Sequence, residues 1–243
     1  MSLTQVRIIL VEPAGPLNVG SVARVMKNMA LERLILVNPQ CDPLSEEAKR
    51  MAVHGIDVLE QAQRVSSLPE ALQGCQRAIA TTGRPRTSTS LETPKNALPW
   101  LLTPHLTSAL IFGPEDRGLS NEELNYAQRF VCIPSNSEYP SLNLAQSVAV
   151  CTYELYQAAQ NPHNVPPYPA TEPASLDILE GYYQHLESFL LKIGYLHPHT
   201  ATAKMEKFRK LYNRANLSAE EVALLRGIVG HIDALWYLVN RNQ

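Results

Sequence analysis

Five short apolar runs decide what this chain can fold into. VRIILV (6–11), RLILVN (33–38), RAIATT (77–82), SALIFG (108–113) and RFVCIP (129–134) lack the polar alternation of a sheet that shows one face to water. They read as strands buried on both faces. Helical patterns lie between them, near 18–30, 45–54, 68–74, 94–101 and 120–127. Strands alternating with helices predict an α/β domain, a parallel sheet covered by helices on both sides. In such a domain the ligand belongs in the loops beyond the carboxyl ends of the strands. A last helix follows in SLNLAQSVAVCTYELYQAAQ, where Leu144, Val148, Cys151, Thr152 and Leu155 keep helical spacing.

The pattern then changes. NPHNVPPYPATEP (161–173) holds five prolines in thirteen residues, a density that stops a helix and reads as a semi-rigid linker. Residues 174–243 carry helical spacing throughout, broken at GYLHPHT and near NLS. The expected organisation is a domain over 1–160, a proline-rich linker over 161–173 and a smaller all-helical extension over 174–243. Ser218 and Glu221 form a capping-box pair at the start of the last helix. Beyond it Val222, Leu225, Val229, Ile232, Trp236 and Val239 alternate spacings of three and four. That seam suits packing within the extension or contact with a second copy equally well.

Bulk properties exclude several classes. A net charge of −2 gives no global attraction to nucleic acid, so any basic surface must be local. Four scattered cysteines (Cys41, Cys75, Cys132, Cys151) show neither a disulfide framework nor metal spacing. His197 and His199 lack a third ligand nearby, so no metal is expected. No apolar run approaches 18 residues and no signal-peptide pattern opens the chain. A cytoplasmic protein without a membrane partner is the expectation.

The loop after the first strand, LVEPAGPLNVGSVARVMKNM (10–29), raises the question of a phosphate ligand. Gly15 and Gly20 have P-loop spacing, but Ser21 stands where the lysine for a triphosphate is needed. No G-x-G-x-x-G occurs, which leaves a dinucleotide fold unsupported. What remains is Asn18 near a helix start, Gly20 allowing close backbone approach, and Arg24 less than two turns on. A helix N-terminus with an arginine suits a single phosphate, such as one of an RNA backbone. An asparagine cap with a solvated arginine is the plainer alternative.

Two further stretches join it. IFGPEDRGLSNEEL (111–124) sets a glycine, a carboxylate and a second glycine directly after a strand. IPSNSEYPSLNLAQSVAV (133–150) runs from the next strand through a polar loop into a helix. With NVGSVAR these resemble the three ordered motifs of the SPOUT superfamily of RNA methyltransferases, in its TrmH-like branch. The similarity is greatest to bacterial TrmJ-type tRNA 2′-O-methyltransferases. It covers the first 160 residues and extends to KFRKLYNRANLSAEEVALLRGI in the tail. The resemblance implies a parallel sheet with a C-terminal trefoil knot, S-adenosylmethionine (SAM) bound by the knotted loops, and a homodimer whose site uses both subunits. It also implies cofactor contacts from Thr81, Thr82, Gly83, Gly113, Ile133, Ser141, Leu142 and Asn143.

Methyl transfer from a sulfonium to a ribose hydroxyl requires alignment and loss of one proton. The resemblance puts Arg24 at that hydroxyl, where it would position and polarise the oxygen while paired with a phosphate. Arginine is a poor proton acceptor because its pKa exceeds about 12. Asn18 would orient Arg24 or the substrate, Glu115 would hold the loop or a partner arginine, and Ser141 would hydrogen-bond near the reaction centre. For RNA itself, GRPRTS supplies Arg84 and Arg86 beside the cofactor loop. KMEKFRKLYNR (204–214) supplies five cations against one glutamate, among them Lys207, Arg209 and Lys210. The resemblance points to tRNA, at position 32 of the anticodon loop on cytidine or uridine. Ribosomal RNA methylation and a catalytically silent RNA-binding protein are the alternatives.

Overall fold

A computed structural model describes residues 3–83, 90–161 and 165–240. The chain forms two compact units, Met1–Tyr168 and Pro169–Gln243. The first is built on a seven-stranded sheet. Its strands are β1 (Val6–Val11), β2 (Arg33–Val37), β3 (Gln63–Val65), β4 (Arg77–Thr81), β5 (Leu91–Glu92), β6 (Ser108–Phe112) and β7 (Arg129–Val131). The spatial order is β3-β2-β1-β6-β4-β7-β5 and every pairing is parallel. Ile9 of β1 lies opposite Ile35 on one side and Ile111 on the other.

The apolar runs are continuous because helices cover both faces. Val6, Ile8, Ile9 and Leu10 are fully buried, as are Leu110 and Ile111. Burying each such side chain contributes about 1.5–3 kcal/mol before entropy is counted. The two edge strands, β3 and β5, carry no apolar run of their own, which is why the sequence does not announce them. β5 is held by Glu92, whose carboxylate takes Arg129 in a bidentate pair. The Arg129 guanidinium also lies 5.2 Å from the Trp100 ring, whose centroid is 4.5 Å from buried Arg77. Burial lowers the Arg77 pKa to about 10, with the charge of Arg129 adding to the effect.

The helices of this unit are α1 (Pro16–Asn28), α2 (Glu46–Ala52), α3 (Ile56–Glu60), α4 (Leu68–Ala71), α5 (Pro94–Ala97), α6 (Asn121–Leu124) and α7 (Leu144–Gln160). α1 packs closely on α2 and on the turn before α3. A Cβ on Gly20 would meet the Ala48 carbonyl oxygen at 2.1 Å, and one on Gly55 would meet the Ala23 oxygen at 2.7 Å. Gly20 is therefore a helix-packing residue; the expectation that it gives a ligand access to the backbone is corrected.

Among the described residues the second unit holds three helices, α8 (Leu176–Lys192), α9 (Pro198–Ala215) and α10 (Ala219–Asn240). Its core gathers Leu179, Tyr182, Leu186, Phe189, Met205 and Val222. The capping box at Ser218 is formed, with Glu221 N–H donating to Ser218 Oγ at 3.2 Å and Ser218 N–H to Glu221 Oε2 at 2.8 Å. The expected seam on α10 divides: Val222 and Val229 are buried, whereas Ile232, Trp236 and Val239 are exposed. Leu224, Ile228, Leu235 and Leu238 form a second exposed apolar row. By length and composition α10 would suffice to span a bilayer, which a search for uninterrupted apolar runs overlooks. Arg226 and Asp233 interrupt it, and Asp233 is paired with Lys192 of α8 at 2.6 Å.

Candidate active site at the carboxyl ends of β1, β4, β6 and β7

β1 leads through β2 to β3 on one side, while β6 and β4 lie on the other, so the connections diverge between β1 and β6. The loops leaving these two strands meet there, where parallel sheets hold their ligands. β1 ends at Glu12, which has a left-handed φ of 46° and turns the chain toward Gly15 and Pro16. α1 starts at Pro16 without a side-chain cap of its own. The turn ahead of it is held from the other loop. Glu115, three residues beyond β6, accepts from Ala14 N–H at 3.1 Å, Gly15 N–H at 3.2 Å and Asn18 Nδ2 at 2.9 Å.

That geometry bears on the phosphate reading. The amides of Ala14 and Gly15, just ahead of α1, already hold a carboxylate. A phosphate at the same place would face Glu115. Asn18 is not the helix cap either, since it sits inside the first turn and turns its side chain outward from α1. Its Oδ1 accepts from Asn143 Nδ2 at 2.9 Å. Asn143 caps α7 in turn, accepting from Ala145 and Gln146 N–H groups in a capping box. Asn18, Glu115 and Asn143, 97 and 125 residues apart from Asn18 in sequence, thus form one hydrogen-bonded chain across three loops.

Glu115 is held below the ordinary carboxylate range. Burial opposes its charge, but the donors from Asn18, Ala14 and Gly15 more than compensate. It is an anchored anion and a weak base. Arg117 makes the reciprocal link, donating to Glu12 Oε2 at 2.7 Å and to both Glu123 oxygens at 2.9 Å. These two carboxylates raise its already high pKa further, against its partial burial. Arg117 was missed in the sequence although it lies inside GPEDRGL, because nothing local shows that Glu12 comes to it.

Beside this clasp opens a cavity of about 470 Å³, within the range of small-molecule sites. Thr81, Thr82 and Gly83 line it from β4, Gly113 from β6, and Ile133, Ser141 and Leu142 from the loop between β7 and α7. All seven are among the expected cofactor residues. The eighth, Asn143, lies at the clasp and does not line the cavity. Phe112, Asp116, Leu119, Val131, Tyr139 and Ser147 also line it and had not been singled out. Gly113 has a different reason from the one expected. A Cβ there would strike the Gly118 carbonyl carbon and Leu119 N at 2.4 Å, so the loop's own return path requires glycine. Gly83 fits the expectation, since a Cβ there would stand in open space. The Thr81 hydroxyl is already used, donating to the Ile111 carbonyl at 3.0 Å.

Arg24 is exposed on α1 and is not part of the clasp. At 100° per residue it lies about 120° around the helix from Asn18, on the face of Leu17, which is 52% exposed. Arg84 and Arg86 lie outside the described residues. Arg209 is engaged within its own unit: Glu180 binds it bidentately at 2.5 and 2.8 Å, and its guanidinium lies 4.6 Å from the Tyr183 ring. Lys207 and Lys210 are exposed on α9.

Comparison with known proteins gives the family. The family model for SpoU rRNA methylases matches residues 5–153. The chain belongs to the SpoU methylase family. Residues 177–242 match the C-terminal domain of the tRNA methyltransferase TrmJ. The chain is 40% identical over 250 residues to tRNA (cytidine/uridine-2′-O-)-methyltransferase TrmJ of Pectobacterium atrosepticum, covering 95% of this chain and 97% of that one. It is 39% identical over 250 residues to tRNA (cytidine/uridine/adenosine-2′-O-)-methyltransferase TrmJ of Pseudomonas aeruginosa, covering 93% of each. Among solved structures, TrmJ from Z. mobilis ZM4 superposes with a TM-score of 0.82 at 30% identity, over 93% of this chain and 98% of that one.

Proposed function

We propose that this SpoU-family protein transfers a methyl group from S-adenosylmethionine to a ribose 2′-hydroxyl of tRNA, at position 32 of the anticodon loop on cytidine or uridine. The observation that carries the proposal is the clasp of Asn18, Glu115 and Asn143 beside a cavity of about 470 Å³. The relatives named for tRNA 2′-O-methylation match both units of the chain.

The cavity fits the cofactor in size and in donor set. Ile133 and Leu142 offer apolar surface for the adenine ring, Thr82 and Ser141 offer polar groups for its edges, and Gly83 leaves room for close approach. When bound, the cofactor supplies an electrophilic methyl group on a positively charged sulfur. In this reading the loops after β4, β6 and β7 are threaded as a trefoil knot, which fixes them without long side-chain anchors.

The chain's own residues then align the hydroxyl. Arg24 donates to the 2′-oxygen and stabilises the negative charge that grows as the proton leaves to water. Glu115 does not take that proton, being held below the ordinary carboxylate range by its three donors. Its part is positional, fixing the start of α1 against the cofactor loop. Because Arg24 faces away from Asn18 on α1, the arginine serves the cavity of a second copy, and the working unit is a homodimer. Lys207 and Lys210, exposed on α9, are taken as RNA contacts, as are Arg84 and Arg86, which lie outside the described residues.

Incubation with methyl-labelled SAM and unmodified tRNA, followed by nucleoside analysis, tests the proposal. The expected product is a labelled 2′-O-methylcytidine or 2′-O-methyluridine mapping to position 32. Label on ribosomal RNA alone would keep the chemistry and replace the substrate. SAM binding without transfer to either RNA would leave an RNA-binding protein that kept the fold.

A further inference from the structure

Three charged residues stand together on the cavity wall, Glu115, Asp116 and Arg117, and two of them are engaged. Glu115 is bound by Ala14, Gly15 and Asn18. Arg117 is shared between Glu12 and Glu123. Asp116, between them, is exposed, lines the cavity, and has neither a hydrogen bond nor a cation as partner among the described residues. The rest of the wall is apolar or carries neutral hydroxyls, as at Thr82, Ser141 and Ser147.

We propose that Asp116 is a specificity-determining residue that makes this cavity prefer the positively charged methyl donor over its uncharged product. The inference rests on the cavity being the SAM site. In the transfer the S–CH3 bond breaks with its electron pair kept by sulfur, and a C–O bond forms at the ribose oxygen. The hydroxyl proton passes to water. Sulfur therefore goes from a cationic sulfonium to a neutral thioether, while the adenosine and the amino-acid ends stay the same. Shape and apolar contacts cannot tell the two molecules apart beyond one methyl group. An unpaired carboxylate on the wall can, because it attracts the donor by one unit charge more than the product.

The charge difference favours donor entry and product exit from the same pocket. A single carboxylate at an exposed wall changes the relative affinity by about three- to ten-fold at low salt, and less as salt screens it. Neutralising Glu115 or Arg117 would instead break the clasp, so neither reports on this effect.

Isothermal titration of the full chain with SAM, S-adenosylhomocysteine and sinefungin tests the inference. Sinefungin carries an ammonium group where the donor carries its sulfonium. The wild-type protein is expected to bind SAM and sinefungin several-fold more tightly than S-adenosylhomocysteine, with the ratio falling as salt rises. Asp116→Asn is expected to bring the ratio toward one while leaving the affinity for S-adenosylhomocysteine unchanged. Glu122→Gln, an exposed carboxylate on α6 away from the wall, should leave the ratio as it is. Equal binding of all three ligands by the wild type overturns the inference, as does an unaltered ratio in Asp116→Asn or an equal change in Glu122→Gln. Failure of the wild type to bind any of them overturns the cofactor reading of the cavity itself.

Discussion

Asn18 donates from its amide nitrogen to Glu115 and accepts at its amide oxygen from Asn143, so one side chain joins three segments. Asn18→Asp keeps the shape and reverses the chemistry, setting a second carboxylate against Glu115. Each lost hydrogen bond costs about 0.5–1.5 kcal/mol, and the opposed charges add to that. The expected result is a lower unfolding midpoint and at least about a ten-fold loss of methyl transfer, a 1.4 kcal/mol effect or more on the aligned state. Calorimetry and a turnover assay check the two parts. The same network predicts a pH response. Glu115 and Glu123 both have folded pKa values below the ordinary carboxylate range, so the stability they contribute is present above that range. It is lost as pH falls through their lowered folded values. Glu115→Gln should flatten the acid limb of an unfolding-midpoint profile; an unchanged limb would place the acid sensitivity elsewhere.

α1 shows how an element can carry a ligand-like motif whose glycine serves packing. The motif NVGSVAR looks like a ligand loop, yet Gly20 faces the Ala48 carbonyl across a helix contact. Gly20→Ala forces the α1–α2 pair apart and is expected to cost about 1–3 kcal/mol, the range for overpacked cores. Gly83→Ala adds a Cβ into open space at the cavity wall. It should leave the unfolding midpoint unchanged and weaken SAM binding. Thermal melts and titrations of the two variants separate a packing glycine from a ligand glycine, and the opposite pattern would reverse both assignments. Spacing alone does not distinguish them, because the atoms each glycine meets belong to segments far away in sequence.

For the whole molecule, the placement of Arg24 away from Asn18 predicts complementation between copies. Arg24→Ala should abolish transfer while SAM still binds. Gly83→Trp should block the cavity. Mixed dimers of the two variants hold one cavity that is intact and is served by an intact arginine from the other copy. They should recover part of the wild-type turnover; no recovery would mean that each Arg24 serves its own cavity. The central strands were legible because burial on both faces leaves an apolar run that no other element explains, as in VRIILV and SALIFG. β3 and β5 were not, since two- and three-residue edge strands owe their existence to neighbours such as the Arg129–Glu92 pair. The cavity residues from β4, β6 and the loop before α7 were reached through motif resemblance, whereas Asp116, Arg117 and Tyr139 were passed over within or beside those same motifs.

By itself, the sequence determined the parallel α/β class, the helical tail with its Ser218 capping box, and the three loop motifs of the candidate site. These are written in local periodicity, capping spacing and residue type, which short stretches contain in full. Only the tertiary structure decided that Glu115 holds the turn ahead of α1, that Asn18 bridges to Asn143, and that Arg209 pairs with Glu180. Each depends on a partner at least 29 residues distant. A charged side chain pairs with whatever the fold brings within a few ångströms, and no local pattern encodes that distance.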